Sequence, residues 1–295
     1  MDWLWEFPQI EGRTLREIAR TIDQSYRSFS RAYGGTIEAF FRPLLDFLLW
    51  LENLLIQSPW WLVLAVAALV VWLASRSLAI TLGTALALFC IGLLGMWEDT
   101  MRTLAIILVC TALAIALGIP LGIALSRSDR LQAVVNPILD VMQTMPSFVY
   151  LIPIVMLLGI GIVPGVIVVV IYAMPPVIRL TNLGIRLVDR DVLEAADAFG
   201  TSRWRKLREV QLPLALPTIM AGINQTIMMA LAMVVVASLI GVRGLGQPVL
   251  QAITNQYFTQ GLLNGLAIVA IAVIFDRTSQ AYGRRLQRHR TDGHG

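Results

Sequence analysis

Asp189-Arg190-Asp191-Val192-Leu193-Glu194-Ala195-Ala196-Asp197-Ala198-Phe199-Gly200 forms a polar segment between two long uncharged stretches, 141–178 and 210–242. Asp191 is placed to cap a helix, with Glu194 three residues on facing the positive helix end, and Ala195, Ala196 and Ala198 are strong helix formers. Gly200 supplies a left-handed stop. The segment reads as a helix of about two turns, whose alanines let another protein's backbone approach closely. Thr201 or Ser202 can cap a second helix through Trp204 and Leu207, which Pro213 and Pro217 are expected to break. Both flanking stretches exceed the roughly 20 apolar residues needed to cross ~30 Å of hydrocarbon. A short polar helix between two such stretches is the loop of a membrane protein.

The whole chain agrees: of 295 residues 57% are apolar and 14% charged, with a mean hydropathy of +0.73. An ordinary globular domain carries about 25% charged residues. Three earlier runs, 53–75, 77–97 and 103–126, are also of membrane length. The 141–178 run would reach about 57 Å as one helix, and Gly159-Ile160-Gly161-Ile162-Val163-Pro164-Gly165 interrupts it. It reads as two spans joined by a hairpin. After 210–242, the stretch 244–275 is broken by Gly244, Gly246, Pro248 and Asn255 and leaves a span from Gly261 to Phe275. The expected fold is an all-α integral membrane protein with about seven transmembrane helices. Disorder, collagen and a nucleic-acid module are excluded. Net charge +4 arises from arginines flanking the apolar runs, which is topology rather than nucleic-acid binding. Cys90 and Cys110 lie inside apolar runs, and the two histidines stand at the C-terminal end, so neither a disulfide nor a zinc set is indicated.

Orientation follows from the arginines. Arg76, Arg127, Arg130, the seven basic residues from Arg179 to Arg208, and Arg277, Arg284, Arg285, Arg288 and Arg290 fall on one side. The positive-inside bias makes that side cytoplasmic, with the C-terminus inside and the N-terminus outside. Residues 1–58 carry six Arg against eight acids and suit the outside. The opening Met1-Asp2-Trp3 lacks a cleavable signal's basic region, so the first span is expected to act as its own anchor. Leu15, Ile18, Ile22, Tyr26, Phe29 and Tyr33 share one helix face. A second amphipathic stretch sets Glu38, Arg42 and Asp46 against Ile37, Phe41, Leu44, Leu45 and Leu48. Two interfacial helices are expected over 1–58, then two peripheral spans over 59–96, a core membrane unit over 97–282 with its cytoplasmic loop at 186–213, and a basic cytoplasmic tail over 283–295.

Glu194-Ala195-Ala196, then Gly200, then Val210-Gln211-Leu212-Pro213 resembles the EAA loop of binding-protein-dependent ABC importer permeases. Every interval matches, and Val210 replaces the usual isoleucine. The resemblance implies the type I ABC importer permease fold, with Glu194, Ala195, Ala196, Gly200, Leu212 and Pro213 coupling the membrane helices to a separate ATPase. This chain carries no phosphate-binding loop of its own: Lys206 is its one lysine and follows Arg205, where such a loop needs glycine. ATP and Mg are therefore expected in the partner ATPase, and this chain is expected to be a transport subunit with no cofactor and no enzymatic activity. The resemblance further implies a homodimer with two ATPase subunits and a periplasmic or tethered solute-binding protein, set among the lipids of a bacterial cytoplasmic (inner) membrane.

Gln143 to Pro153, the glycine-rich hairpin, Ala173 to Leu180, Gly222 to Thr226 and Gly241 to Gln247 are similar to the glycine betaine/proline/choline branch of these permeases. That implies a small methylated amine as solute: glycine betaine, choline, carnitine, proline betaine or trimethylamine N-oxide, used in osmoprotection or nutrition. A quaternary amine has no N–H donors, so aromatic faces and weak dipoles suffice for its passage. Met145, Phe148, Tyr150, Tyr172, Asn224 and Gln225 are candidate wall residues, although the same side chains serve packing or interhelical hydrogen bonds equally well. Asp140, Arg179 and Asp276 are expected at span ends, which argues against a proton- or sodium-coupled secondary carrier. An ABC permease for an amino acid or other small polar solute is the alternative. An intramembrane enzyme is disfavoured because no histidine lies near Ser147, Ser238 or the cysteines. Pro146, Pro153, Pro164, Pro175 and Pro176 are expected to interrupt the fourth and fifth spans and allow bending.

Overall fold

A computed structural model describes Ile10 and residues 12–291, with side chains as far as Leu286; Met1-Asp2-Trp3 and His294 lie outside the described residues. Regular structure among these residues is helical throughout. Four helices are long and apolar enough to cross a membrane: Trp97–Arg127 (α4), Ile162–Arg186 (α7), Arg203–Ile240 and Phe258–Leu286. Two further apolar segments are bent pairs, Gly12–Gln57 (α1) with Trp60–Ser75 (α2) at 114°, and Asp129–Thr144 (α5) with Ser147–Leu158 (α6) at 101°. Leu78–Leu93 (α3) is a shorter apolar helix. Counting each bent pair as one span gives up to six spans among the described residues against the seven expected, because α3, at 16 residues, falls short of membrane length.

The N-terminal region differs from expectation. Instead of two helices, α1 runs unbroken for 46 residues, about 69 Å at 1.5 Å per residue. Gly34 does not break it, because its missing side chain is used for close packing: a Cβ there would stand 3.0 Å from the Leu157 carbonyl oxygen. One helical turn apart on the same face, Ser30 Oγ donates to that carbonyl at 2.9 Å and the Tyr26 hydroxyl donates to the Pro153 carbonyl. Side chains of α1 thus donate to carbonyls of α6, and that of Leu157 is one its own helix end leaves unpaired. Leu15, Ile18, Ile22, Phe29 and Tyr33 form an exposed apolar stripe, so the expected amphipathic character holds.

The centre of the molecule is α7, packed between α4 and Leu212–Ala237 (α10). Small residues make these crossings close. A Cβ on Gly122 of α4 would meet Thr181 Cβ at 2.6 Å and the Ile178 carbonyl at 2.7 Å. On the other side, a Cβ on Gly222 of α10 would stand 3.0 Å from Leu180 Cβ. Ala105, Val168, Val169, Ala173, Ala230 and Met233 fill the resulting core and are fully buried.

Proline acts more selectively than its frequency suggested. Pro146 stands at the sharp α5–α6 bend, whereas Pro153, Pro164, Pro175 and Pro176 are accommodated inside α6 and α7. Gly159, at φ +80°, turns α6 into α7 as the hairpin reading required. Pro213 and Pro217 do not break the helix after the polar loop. Arg203–Arg205 (α9) continues through a π-helical turn, Lys206–Gln211, into α10, and the Leu212 N–H reaches back to the Leu207 carbonyl. Widening the coil to an i−5 bond changes the register just before Pro213, which has no N–H to give. Beyond α10 come Gly246–Asn255 (α11) and Phe258–Thr291 (α12).

Candidate functional site

The polar loop folds as a compact helical hairpin. Arg190–Ala198 (α8) is capped by Asp189, whose side chain accepts from the Asp191 N–H at 2.9 Å. The cap is therefore two residues earlier than the expected Asp191, and Glu194 lies beyond the first turn. At the other end Gly200 has φ +71°, the Gly200 N–H bonds the Asp197 carbonyl at 2.9 Å, and the Thr201 N–H bonds the Ala196 carbonyl at 3.2 Å. This pair of bonds is a Schellman stop. Ser202 caps the next helix through the Arg205 N–H.

Two faces of the hairpin have different tasks. Ala196 is buried and Leu193 half-buried, with α8 packed on the π-helical turn, while Glu194, Ala195 and Ala198 are exposed. Leu212 packs into a cluster of Ile185, Leu207, Ala215 and Ile219, and Pro213 is half-buried beside it. The loop thus has an anchored end at 207–219 and a presented end at 192–200. Phe199 is 89% exposed and Trp204 65% exposed, an apolar pair that the spacing argument did not single out as partner-facing. Burial of such side chains on docking contributes about 1.5–3 kcal/mol each. The sequence held a signal for this, since a large aromatic directly before a helix-stopping glycine has no interior to enter.

Elsewhere, the six candidate wall residues separate into two groups. Tyr150 is buried, its hydroxyl donating to the Met142 carbonyl and its ring meeting Tyr172 edge-on at 5.6 Å between centroids. Met145 and Tyr172 pack against the same core, whereas Phe148 is exposed. Asn224 and Gln225, midway along α10, face α12 and line a cavity of about 490 Å³ with Gln280 and Arg284. Asn224 Nδ2 donates to Asp276 Oδ1 at 2.9 Å. Asp276 stands within α12, which continues to Thr291, and is half-buried. No group of three or more metal-ligating side chains occurs among the described residues.

Residues 114–288 match the family of binding-protein-dependent transport system inner membrane components. The chain belongs to that family. It is 49% identical over 233 residues to the glycine betaine/proline betaine transport system permease protein ProW of Escherichia coli (strain K12), covering 79% of this chain and 66% of that protein. It is 42% identical over 254 residues to the glycine betaine/carnitine transport permease protein GbuB of Listeria monocytogenes, covering 85% of this chain and 86% of that protein. The trimethylamine N-oxide transport system permease protein TmoV of Ruegeria pomeroyi is 39% identical over 197 residues, 67% of this chain and 30% of that protein. This chain therefore spans about two thirds of the length of ProW and about a third of TmoV. In fold it is similar to the MetNI methionine ABC transporter in an inward-facing conformation, with a TM-score of 0.57 and 20% identity over 63% of this chain and 93% of the other.

The family match contains the complete hairpin and all of α10, so the loop identified from its spacing lies within the part of the chain that defines membership of the inner membrane components.

Proposed function

We propose that the chain is the transmembrane permease subunit of an ATP-driven importer for small methylated amines of the glycine betaine, choline, proline betaine and trimethylamine N-oxide class. The similarity to ProW and GbuB over most of this chain carries the solute class. The exposed end of the α8 hairpin carries the coupling mechanism. Two copies of the permease pair in the membrane, each engaging one ATPase subunit that binds ATP and Mg, and a solute-binding protein delivers cargo from outside. Glu194, Ala195 and Ala198 offer a low, close-packing surface, and Phe199 and Trp204 supply apolar anchors for a groove in the ATPase. Gly200 fixes the direction in which that surface points. Leu212 and Pro213 anchor the same hairpin to α10, so displacement of α8 on ATPase closure is passed to the helix that bears Asn224 and Gln225.

In this arrangement α1 lies on the outer face, α2 and α3 flank the core, the α8 hairpin and the basic C-terminal segment are cytoplasmic, and lipid surrounds the apolar helices. The predominance of arginine at the cytoplasmic ends supports that orientation. Purification of the intact complex from native membranes tests the reading: mass spectrometry should identify an ATPase and a solute-binding protein with a methylated amine bound. A complex lacking an ATPase contradicts it.

A further inference from the structure

The side chain of Asn224 is held from both ends. Its Nδ2 donates to Asp276 Oδ1, and Ser279 Oγ donates to its Oδ1. Gln280, one turn along α12 from Asp276, donates through Nε2 to that same carboxylate oxygen at 2.7 Å. Two amides facing the cavity from opposite helices are thus fixed by one carboxylate that itself stands behind them. Packing alone would be served as well by apolar side chains, because a partly buried polar network gains little over an apolar contact once desolvation is included. Intramembrane acids are retained chiefly where solutes or ions pass.

The cavity has a definite polarity. Met220, Asn224, Gln225 and Met228 recur at helical spacing along one face of α10. Gly283 faces Met220 across the cavity wall, where a Cβ would make an ordinary contact at 3.5 Å with Met220 Cβ. Arg284 also lines the cavity, two turns or about 12 Å beyond Asp276 along the helix. A volume of about 490 Å³ falls within the range of small-molecule sites. Polarizable thioethers suit the methyl groups of a quaternary amine, which has no N–H to donate. The anchored amides and the carboxylate behind them suit a cation, and a guanidinium pairs with a carboxylate.

We propose that this cavity between α10 and α12 is a transit site for a zwitterionic methylated solute, with its ammonium end toward Asn224 and its carboxylate toward Arg284. The proposal rests on the import function above and assigns it a binding site. Asn224, Gln280 and Arg284 touch the solute. Asp276 is a positioning residue that acts through the two amides.

The site is probed directly, without a binding protein, in the permease–ATPase complex reconstituted in liposomes. Cys90 and Cys110 are first replaced by serine, and Gln225→Cys is introduced as a reporter. Its modification by a thiol reagent is timed with and without glycine betaine or choline, which share a trimethylammonium group but differ in the carboxylate. Glycine betaine is expected to slow labelling more than choline. Arg284→Gln should reduce betaine protection to the choline level, about a fivefold loss for one charge-assisted contact. Asp276→Asn should weaken protection by both solutes, with solute-free labelling as the measure of cavity shape. Labelling unaffected by either solute, or betaine protection unchanged in both variants, overturns the site. Parallel uptake by the complete wild-type transporter separates the two claims: uptake without protection removes only this site, whereas no ATP-driven uptake of any methylated amine removes the import reading.

Discussion

Lys206, the chain's one lysine, places Nζ 2.5 and 2.6 Å from the two carboxylate oxygens of Asp197, tying the π-helical turn before α10 to the last turn of α8. The lysine side chain is 19% exposed and the aspartate 57%, so solvent screens the pair and its contribution to stability is about 1 kcal/mol or less. Its consequence is directional: the α8 hairpin is tied to the base of α10 rather than free of it.

Removing one partner should therefore uncouple more than it destabilises. Lys206→Met is expected to reduce solute-stimulated ATP hydrolysis about twofold to fivefold, with little change in the amount of complex recovered. Exchanging the charges, Asp197→Lys with Lys206→Asp, should recover much of the loss. A steady-state ATPase assay on the three complexes checks this, and a swap no better than the single variants would show that the ion pair is not the tie.

Gly200 offers a cleaner test, because a Cβ at this position would meet nothing within 4 Å while φ is +71°. Any effect of substitution then comes from backbone conformation, not from collision. A β-branched residue in the left-handed region costs roughly 1–2 kcal/mol, while asparagine tolerates it. Gly200→Val should abolish stimulated ATP hydrolysis in a complex that still inserts, and Gly200→Asn should retain most of it. Equal activity in the two variants would contradict the role of the stop.

The reach of the sequence can be judged from the same loop. Gly200 was legible because a stop after alanine-rich helix demands a residue that adopts positive φ. The cap was misassigned because Asp189 and Asp191 both suit it, and the choice is made by backbone geometry at Asp189. Continuity of α1 through Gly34 and Gly35 was hidden, since glycine signals a break locally and close approach only when the facing helix is known. The Asn224–Asp276 bond joins residues 52 apart, and no local pattern announces which polar residue of α12 will face α10. Pro213 was read as a breaker because a π-helical turn that absorbs it leaves no mark in composition.

Glycine packing between α4 and α7 predicts a stability defect separate from coupling. Gly122→Ala would bring a Cβ within 2.7 Å of the Ile178 carbonyl and is expected to cost about 1–3 kcal/mol. Gly265→Ala, where a Cβ meets nothing within 4 Å, should be neutral. Thermal denaturation of the detergent-purified permease, followed by gel filtration, should separate the two.

Orientation is open to labelling in a background free of Cys90 and Cys110. Glu98→Cys, at the start of α4, should react with an impermeant reagent from outside. Arg285→Cys, on α12, should react only after the membrane is opened. Arg285 labelled from outside alone would invert the topology.

Energised uptake tests the central claim most directly. The permease, its ATPase and its binding protein are reconstituted into liposomes, and accumulation of labelled glycine betaine, choline or trimethylamine N-oxide is followed with and without ATP on the ATPase side. The account predicts accumulation of at least one of these solutes only with ATP, undiminished by excess maltose or methionine and lost in Gly200→Val. Accumulation without ATP, or ATP-driven accumulation of a sugar or amino acid and of no methylated amine, would contradict it.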